Sequence, residues 1–235
     1  MKLRIIIRLK KSKKNNPKNP TILPEQRIST MIVKLYERNP DINTIREIAE
    51  LLERGGVIIY PTDTVYGIGC NITKARAVER VAKIKGVKPE KANFAFICSD
   101  LSHLADYAKQ VDNNTFKLMK SYLPGPYTFI LNAGGNVPKL FKGTKKTVGI
   151  RIPDNNIILE IVRQLGHPIL TTSLKENDEI MEYFTDPEMI HEEYKDLVDL
   201  VVDGGYGGLI PSTIIDCTGD EPVLIREGLG EVDYK

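Results

Sequence analysis

The stretch Gly55 to Gly69, GGVIIYPTDTVYGIG, places the tightest constraint on how this chain folds. A glycine pair stops whatever helix precedes it, and the apolar run Val57 to Tyr60 then reads as a buried strand. Pro61, Thr62, Asp63 and Thr64 cannot continue that strand inside a sheet: proline has no ladder N–H, and three polar side chains would be buried with it. Two readings are open. In one, the strand delivers a loop bearing Thr62, Thr64 and Tyr66 to the edge of an open α/β sheet where ligands bind. In the other, the loop is a tight polar turn between two strands.

The rest of the chain alternates irregularly between strand-like and helix-like segments. Met31 to Tyr36 suits an edge strand. Ile45, Ile48, Leu51 and Leu52 fall at helical spacing, with Asn43 or Thr44 as N-cap and Gly55 beyond the end. Ala75, Val78, Val81 and Ala82 form the apolar face of a second helix, capped by Thr73. Further strands are expected at 94–98, 127–131, 147–152, 169–172, 198–202, 212–217 and 222–226. Helices are expected in two pieces over 101–122, after an Asp154 cap, and from Asp186-Pro187 by the N-cap and N1 rule. Residues 173–185 read as acidic and irregular. Such irregular alternation predicts an α/β fold, a mixed sheet with flanking helices, in a single domain over 31–235.

Bulk properties exclude several classes. No apolar run approaches the roughly 18–20 residues of a membrane helix. The three cysteines, Cys70, Cys98 and Cys217, form no CxxC pair, and the three histidines have no ligand spacing, so no metal site is expected. The cysteines read as small buried hydrophobes in a reducing cytoplasm. The net charge of +2 conceals an asymmetry. Of 33 Lys and Arg and 31 Asp and Glu, nine and one lie in residues 1–30, leaving 24 against 30: +8 for the first segment, −6 for the rest. Residues 1–30, rich in Lys, Asn and Pro, read as a disordered basic extension. Three readings apply to it: an arm for nucleic-acid phosphates, a weak targeting signal, or sequence upstream of a true start at Met31. The last is favoured, because the regular pattern begins at Met31.

Hydroxyl and cationic residues recur where strands end: Thr62, Thr64 and Tyr66; Lys83, Lys85 and Lys88; Arg151; Thr171, Thr172 and Ser173; Ser212 and Thr213; Arg226. No Walker loop, nucleophile elbow or metal box accompanies them. A site of cations and hydroxyls suits phosphate or carboxylate ligands. Arg151 and Arg226 stand out, because each ends an apolar strand (VGIR, PVLIR), where a solvated surface charge is less expected. The lysines taken singly read equally as surface charge.

PTDTVYG, KIKGVKP, PGPYTFIL, VGIRIPDN, TTS, STIIDCT and IREG occur here in the order of the YrdC/TsaC-like superfamily, which the chain resembles from about Thr44 to Gly230. The resemblance implies an open twisted sheet with a large concave, positive cavity. It implies L-threonylcarbamoyladenylate synthesis: L-threonine, bicarbonate and ATP, with Mg2+, give threonylcarbamoyl-AMP and pyrophosphate for tRNA modification. Carried over by motif, Thr62, Tyr66 and Arg151 would hold threonine. Lys83, Lys85, Lys88, Ser173, Ser212, Thr213 and Arg226 would hold ATP, with Lys83, Lys85 and Ser173 the candidates for catalysis.

Two departures bear on that reading. The arginine of the family's K-x-R pair is Lys85 here, a point charge in place of a bidentate fork. The asparagine of its S-x-N motif is Lys175, which donates but cannot accept. Both resemble the YciO branch, as do TTSL with its acidic insertion and GGYGG before STIID. The alternative is therefore a YciO-type paralogue that binds double-stranded RNA or nucleotide with little or no synthase activity.

Overall fold

The computed structural model describes residues 31–89, 94–109, 111–138, 146–174 and 185–232. Residues 1–30, Lys175 and most of the acidic 173–185 segment lie outside that set. Strands run β1 (Met31–Lys34), β2 (Val57–Tyr60), β3 (Gly67–Asn71), β4 (Ala95–Ile97), β5 (Tyr127–Asn132), β6 (Thr147–Arg151), β7 (Ile169–Ser173), β8 (Leu200–Asp203), β9 (Thr213–Asp216) and β10 (Val223–Arg226). Helices are α1 (Ile42–Glu53), α2 (Ala75–Ile84), α3 (Leu104–Tyr107), α4 (Asn113–Tyr122), α5 (Asn156–Leu165) and α6 (Pro187–Tyr194). The 101–122 region thus divides into three pieces, a 3-10 turn at Leu101–His103 followed by α3 and α4.

Among the described residues the ten strands form one sheet in the order β1-β8-β2-β3-β7-β4-β6-β5-β9-β10. It is mixed. The pairs β1/β8, β2/β8, β4/β6 and β5/β9 are parallel, and β2/β3, β3/β7, β4/β7, β5/β6 and β9/β10 are antiparallel. The expected edge strand at Met31 is an edge strand. β3 is the element that sequence reasoning did not separate: a strand with two glycines lacks the β-branched run that marks its neighbours. Its presence makes Pro61 to Tyr66 the loop of an antiparallel β2–β3 hairpin, so the tight-turn reading gives the local connection correctly.

Side chains alternate across the sheet with a period of two. Val57, Ile59, Ile68, Cys70, Phe96, Ile150 and Leu170 join Val78 and Val81 of α2 and Met119 of α4 in one core. Ile58, Tyr60, Ile97 and Ile169 face the other way, against Ile45, Ile48 and Leu52 of α1 and Ile158, Ile161 and Val162 of α5. Three helix starts differ from expectation. Asp41, not Asn43 or Thr44, caps α1 by accepting the Thr44 N–H at 2.8 Å. Thr73 bonds Asn71 instead of capping α2, whose N-cap is Lys74. Asn155, not Asp154, caps α5, its Oδ1 accepting the Ile158 N–H at 3.3 Å. For α1 and α5 a short polar side chain one to three residues away offered the same chemistry, whereas α2 has no side-chain cap bond.

The glycines of β3 are there for close approach. A Cβ at Gly69 would sit 2.1 Å from the Leu170 carbonyl oxygen and 2.9 Å from the Tyr60 hydroxyl. Gly219, by contrast, has open space around it. Gly69→Ala is expected to cost about 2–3 kcal/mol through forced backbone and ring displacement, while Gly219→Ala stays within about 0.5 kcal/mol. Urea unfolding of the two variants checks this.

Candidate functional site

The sheet face that carries Ile58, Ile97 and Ile169 changes character toward β6, β5 and β9. Continuing the two-residue period, its positions become Gly67 and Gly69 on β3, Thr171 and Ser173 on β7, Ala95 on β4, Gly149 and Arg151 on β6, and Thr128 on β5. Over β3, β7 and β4, small and hydroxyl-bearing residues replace the aliphatic ones that α1 and α5 cover. A cavity of about 200 Å³ opens there, bordered by Gly67, Ala95, Thr128, Arg151, Thr171 and Ser173, with Ser212 and Arg226 on its far wall.

Arg151 is the charged centre of this region. It ends β6 and is only 8% exposed. Its Nη2 donates to Thr62 Oγ1 at 3.1 Å, Asp63 Oδ1 at 2.5 Å and Thr64 Oγ1 at 2.6 Å. Asp63 in turn accepts the Asp154 N–H at 3.0 Å through its other oxygen. The hairpin loop and the segment after β6 are therefore tied through one ion pair. Arg151 Nε is buried without a partner among the described residues. A buried guanidinium that borders a cavity suits an anionic ligand, because charge-assisted hydrogen bonds to a carboxylate or phosphate are the strong ones.

The loop hydroxyls serve the loop first. Thr62 Oγ1 donates to the Val65 carbonyl at 2.8 Å and accepts the Thr64 N–H at 3.1 Å. Tyr66 borders the cavity, but its hydroxyl donates to the Gly205 carbonyl at 2.7 Å and accepts the Gly204 N–H at 3.1 Å. Burial pushes this phenol up to about 12. Tyr66 therefore contributes wall more than hydroxyl.

On the opposite wall Ser212 Oγ lies 2.9 Å from Thr128 Oγ1, and Arg226 Nη2 donates to the Ser212 carbonyl at 2.7 Å. Thr213 does not line the cavity. It is fully buried, donates to the Gly230 carbonyl at 2.6 Å and accepts the Gly228 N–H at 3.0 Å, which straps the C-terminal segment to β9. Lys83 and Lys88 are exposed, at and beyond the end of α2, and do not border the cavity. Lys85 lies closer: its Nζ donates to the Leu174 carbonyl at 3.3 Å, one residue past Ser173. The structure thus gathers Tyr66, Arg151, Ser173, Ser212 and Arg226 around one space, sets Thr62 immediately behind Arg151, and leaves Lys83, Lys88 and Thr213 outside.

Sequence reasoning overlooked Asp63 and Thr128 as site residues, and named Thr171 as a strand-end hydroxyl without giving it a ligand. Asp63 was visible inside PTDT, yet nothing in one chain says that its partner is an arginine 88 residues away. The lining includes no carboxylate, and among the described residues no cluster of three or more His, Cys, Asp or Glu could hold a metal. These residues do not fit a resident Mg2+. No helix among the described residues is long and apolar enough to cross a membrane.

The fold and the site together define the class: one mixed α/β sheet whose open face carries a cavity bordered by a buried arginine. Residues 50–228 match the Sua5/YciO/YrdC family profile, whose description reads "Telomere recombination", and the chain belongs to that family. It is 43% identical over 200 residues to YciO of Escherichia coli K12, covering 84% of this chain and 95% of that protein. The crystal structure of E. coli YciO superposes with a TM-score of 0.79, covering 86% of this chain and 97% of that one. The threonylcarbamoyl-AMP synthase of Pyrococcus abyssi is 30% identical over 200 residues, covering 85% of this chain and 58% of the synthase. The structure of P. abyssi Sua5 complexed with L-threonine matches with a TM-score of 0.76 at 29% identity, over 85% of this chain and 58% of that one. This chain therefore corresponds to just over half of the longer synthase.

The Arg151 ion pair makes a direct stability forecast. Arg151→Ala would leave Asp63, with a side chain 10% exposed, without its cation, and is expected to cost about 3–5 kcal/mol in urea unfolding. Asp63→Asn, which keeps an acceptor for the Asp154 N–H, should cost less.

Proposed function

We propose that this cavity binds L-threonine by its carboxylate beside the phosphates of ATP, and that the protein forms L-threonylcarbamoyladenylate and pyrophosphate from L-threonine, bicarbonate and ATP for tRNA modification. The observation that carries the reading is Arg151: a buried cation at the cavity wall, fixed in place by the PTDT loop. The likeness to a synthase structure complexed with L-threonine supports it.

In this reading the threonine amine attacks bicarbonate-derived CO2 to give a carbamate. A carbamate oxygen then attacks the α-phosphorus and pyrophosphate leaves. No protein nucleophile is required. The residues hold the carboxylate, turn hydroxyls of Ser173 and Ser212 toward oxyanions, and offset phosphate charge with Arg226, so that positioning and electrostatics lower the barrier. Mg2+ enters as part of the substrate MgATP, bound to its phosphates. A volume of about 200 Å³ suits the amino-acid end, below the range of about 300–1,000 Å³ typical of larger ligands. The remainder of the nucleotide would extend past the enclosed part, where Lys85 lies.

A second reading has its own support. Identity is higher to E. coli YciO than to the P. abyssi synthase, 43% against 30%, and Lys85 and Lys175 depart from the synthase motifs. It holds that the protein binds nucleotide or double-stranded RNA with little or no synthesis.

Purified protein with MgATP, L-threonine and bicarbonate is expected to release pyrophosphate in a threonine-dependent manner, and Arg226→Ala to lower the rate at least tenfold. Absence of threonine-dependent release, under conditions where a threonylcarbamoyl-AMP synthase turns over, refutes the first reading. Gain of release in the Lys85→Arg, Lys175→Asn double variant would then locate the divergence at the nucleotide side.

A further inference from the structure

Tyr60 is the last residue of β2 and is fully buried. Its ring lies across β3 instead of packing within its own strand. A Cβ at Gly67 would sit 3.0 Å from the ring's Cε2, and one at Gly69 would sit 2.9 Å from the hydroxyl. The two glycines of YGIG thus clear a path over β3 to the next strand, β7. At the end of that path the Tyr60 hydroxyl donates to Thr171 Oγ1 at 2.7 Å. Burial raises the phenol well above its ordinary range, so it keeps its single proton and remains the donor.

Thr171 is 6% exposed and borders the cavity. Its register neighbours are Gly69 on β3 and Ala95 on β4, two small residues that leave the space above it open. A threonine hydroxyl has one proton and two lone pairs. With a lone pair already taken by Tyr60, its own proton is turned away from β2. Among the described residues the Tyr60 bond is the one made by Thr171 Oγ1. The direction left for its O–H is the cavity.

We infer that Thr171 is a ligand-binding residue, donating its hydroxyl proton to an oxygen of the bound anion, a carboxylate, carbamate or phosphate oxygen, and that Tyr60 is the positioning residue that fixes the direction of that proton. The inference rests on the reading that the cavity takes oxyanionic ligands. It also gives the glycines of YGIG a functional reason: they let a phenol on one strand set a hydroxyl two strands away.

The test is a double-variant cycle on the full chain, with L-threonine and MgATP titrated separately by calorimetry. Thr171→Val removes the donor at nearly constant shape and is expected to weaken at least one of the two ligands about tenfold, in line with the loss of one hydrogen bond of about 1.4 kcal/mol. Thr171→Ser, which keeps the hydroxyl, should bind within about threefold of the unaltered protein. Tyr60→Phe should weaken the same ligand, and the Tyr60→Phe, Thr171→Val pair should be no weaker than Thr171→Val alone, because Tyr60 acts through Thr171. Unchanged affinity in Thr171→Val, with the unaltered protein binding normally, overturns the inference and leaves the cavity reading intact. Additive losses overturn the positioning role of Tyr60. Failure of the unaltered protein to bind either ligand overturns the cavity reading and this inference together. Should Tyr60→Phe not fold, Thr171→Val against Thr171→Ser still decides whether the hydroxyl is a donor.

Discussion

The Arg151 guanidinium is the interaction on which the site depends. It stands at the end of β6, three strand positions from the hairpin formed by β2 and β3, and its Nη2 gathers Thr62, Asp63 and Thr64 from that hairpin's loop. The loop's three short polar residues, Thr62, Asp63 and Thr64, have little apolar surface of their own to hold them. The buried cation supplies them with a common donor, and Asp63 passes the constraint on to the Asp154 N–H that precedes α5. A buried ion pair is weak support for stability in general, because desolvation offsets attraction. Here its consequence is register: it fixes where the hairpin tip, the end of β6 and the start of α5 stand relative to one another.

The second organising feature is a change of composition along one face of a single sheet. Where α1 and α5 cover it, that face carries Ile58, Ile97 and Ile169. Farther along, over β3, β7 and β4, it carries glycine, alanine, threonine and serine, which bury little apolar surface, before Ile130 and Ile214 return on β5 and β9. The space left is the cavity. Tyr60 sits on the boundary, its ring in the aliphatic core and its hydroxyl on Thr171. The three lysines named as ATP ligands do not border the cavity. Lys83 and Lys88 are exposed, and Lys85 alone of the three reaches the end of β7. Positive charge within the cavity comes from Arg151 and Arg226, which match carboxylate and phosphate oxygens in bidentate geometry.

The motifs named several residues that border the cavity but not the contacts those residues make. VGIR and PVLIR marked Arg151 and Arg226, because a cation at the end of an apolar strand is unusual whatever the fold. Thr62 and Thr213 were legible as hydroxyls at strand ends, but not as hydroxyls committed to backbone, Thr62 to that of its own loop and Thr213 to that of the C-terminal segment. Local hydrogen bonding by short polar side chains competes with any role toward a ligand, and the winner depends on backbone geometry that a strand pattern does not encode. β3 escaped notice for a related reason: its glycines look like loop residues until the ring they accommodate is in place.

The sequence by itself determined the strand and helix segments, the mixed α/β class, the asymmetry of charge and the chemical character of the site, since periodicity, capping residues and strand-end cations are local signals. Only the tertiary structure decided which of those residues share a cavity. Strand order brings β7, β4, β6 and β5 together, so Thr171, Ala95, Gly149 and Thr128 become neighbours on one face although they are far apart in the chain. The same order lets Tyr60 meet Thr171 across 111 residues and Arg151 meet Asp63 across 88. Contacts of that range depend on the pairing of whole strands, whose order the segments taken one at a time leave open.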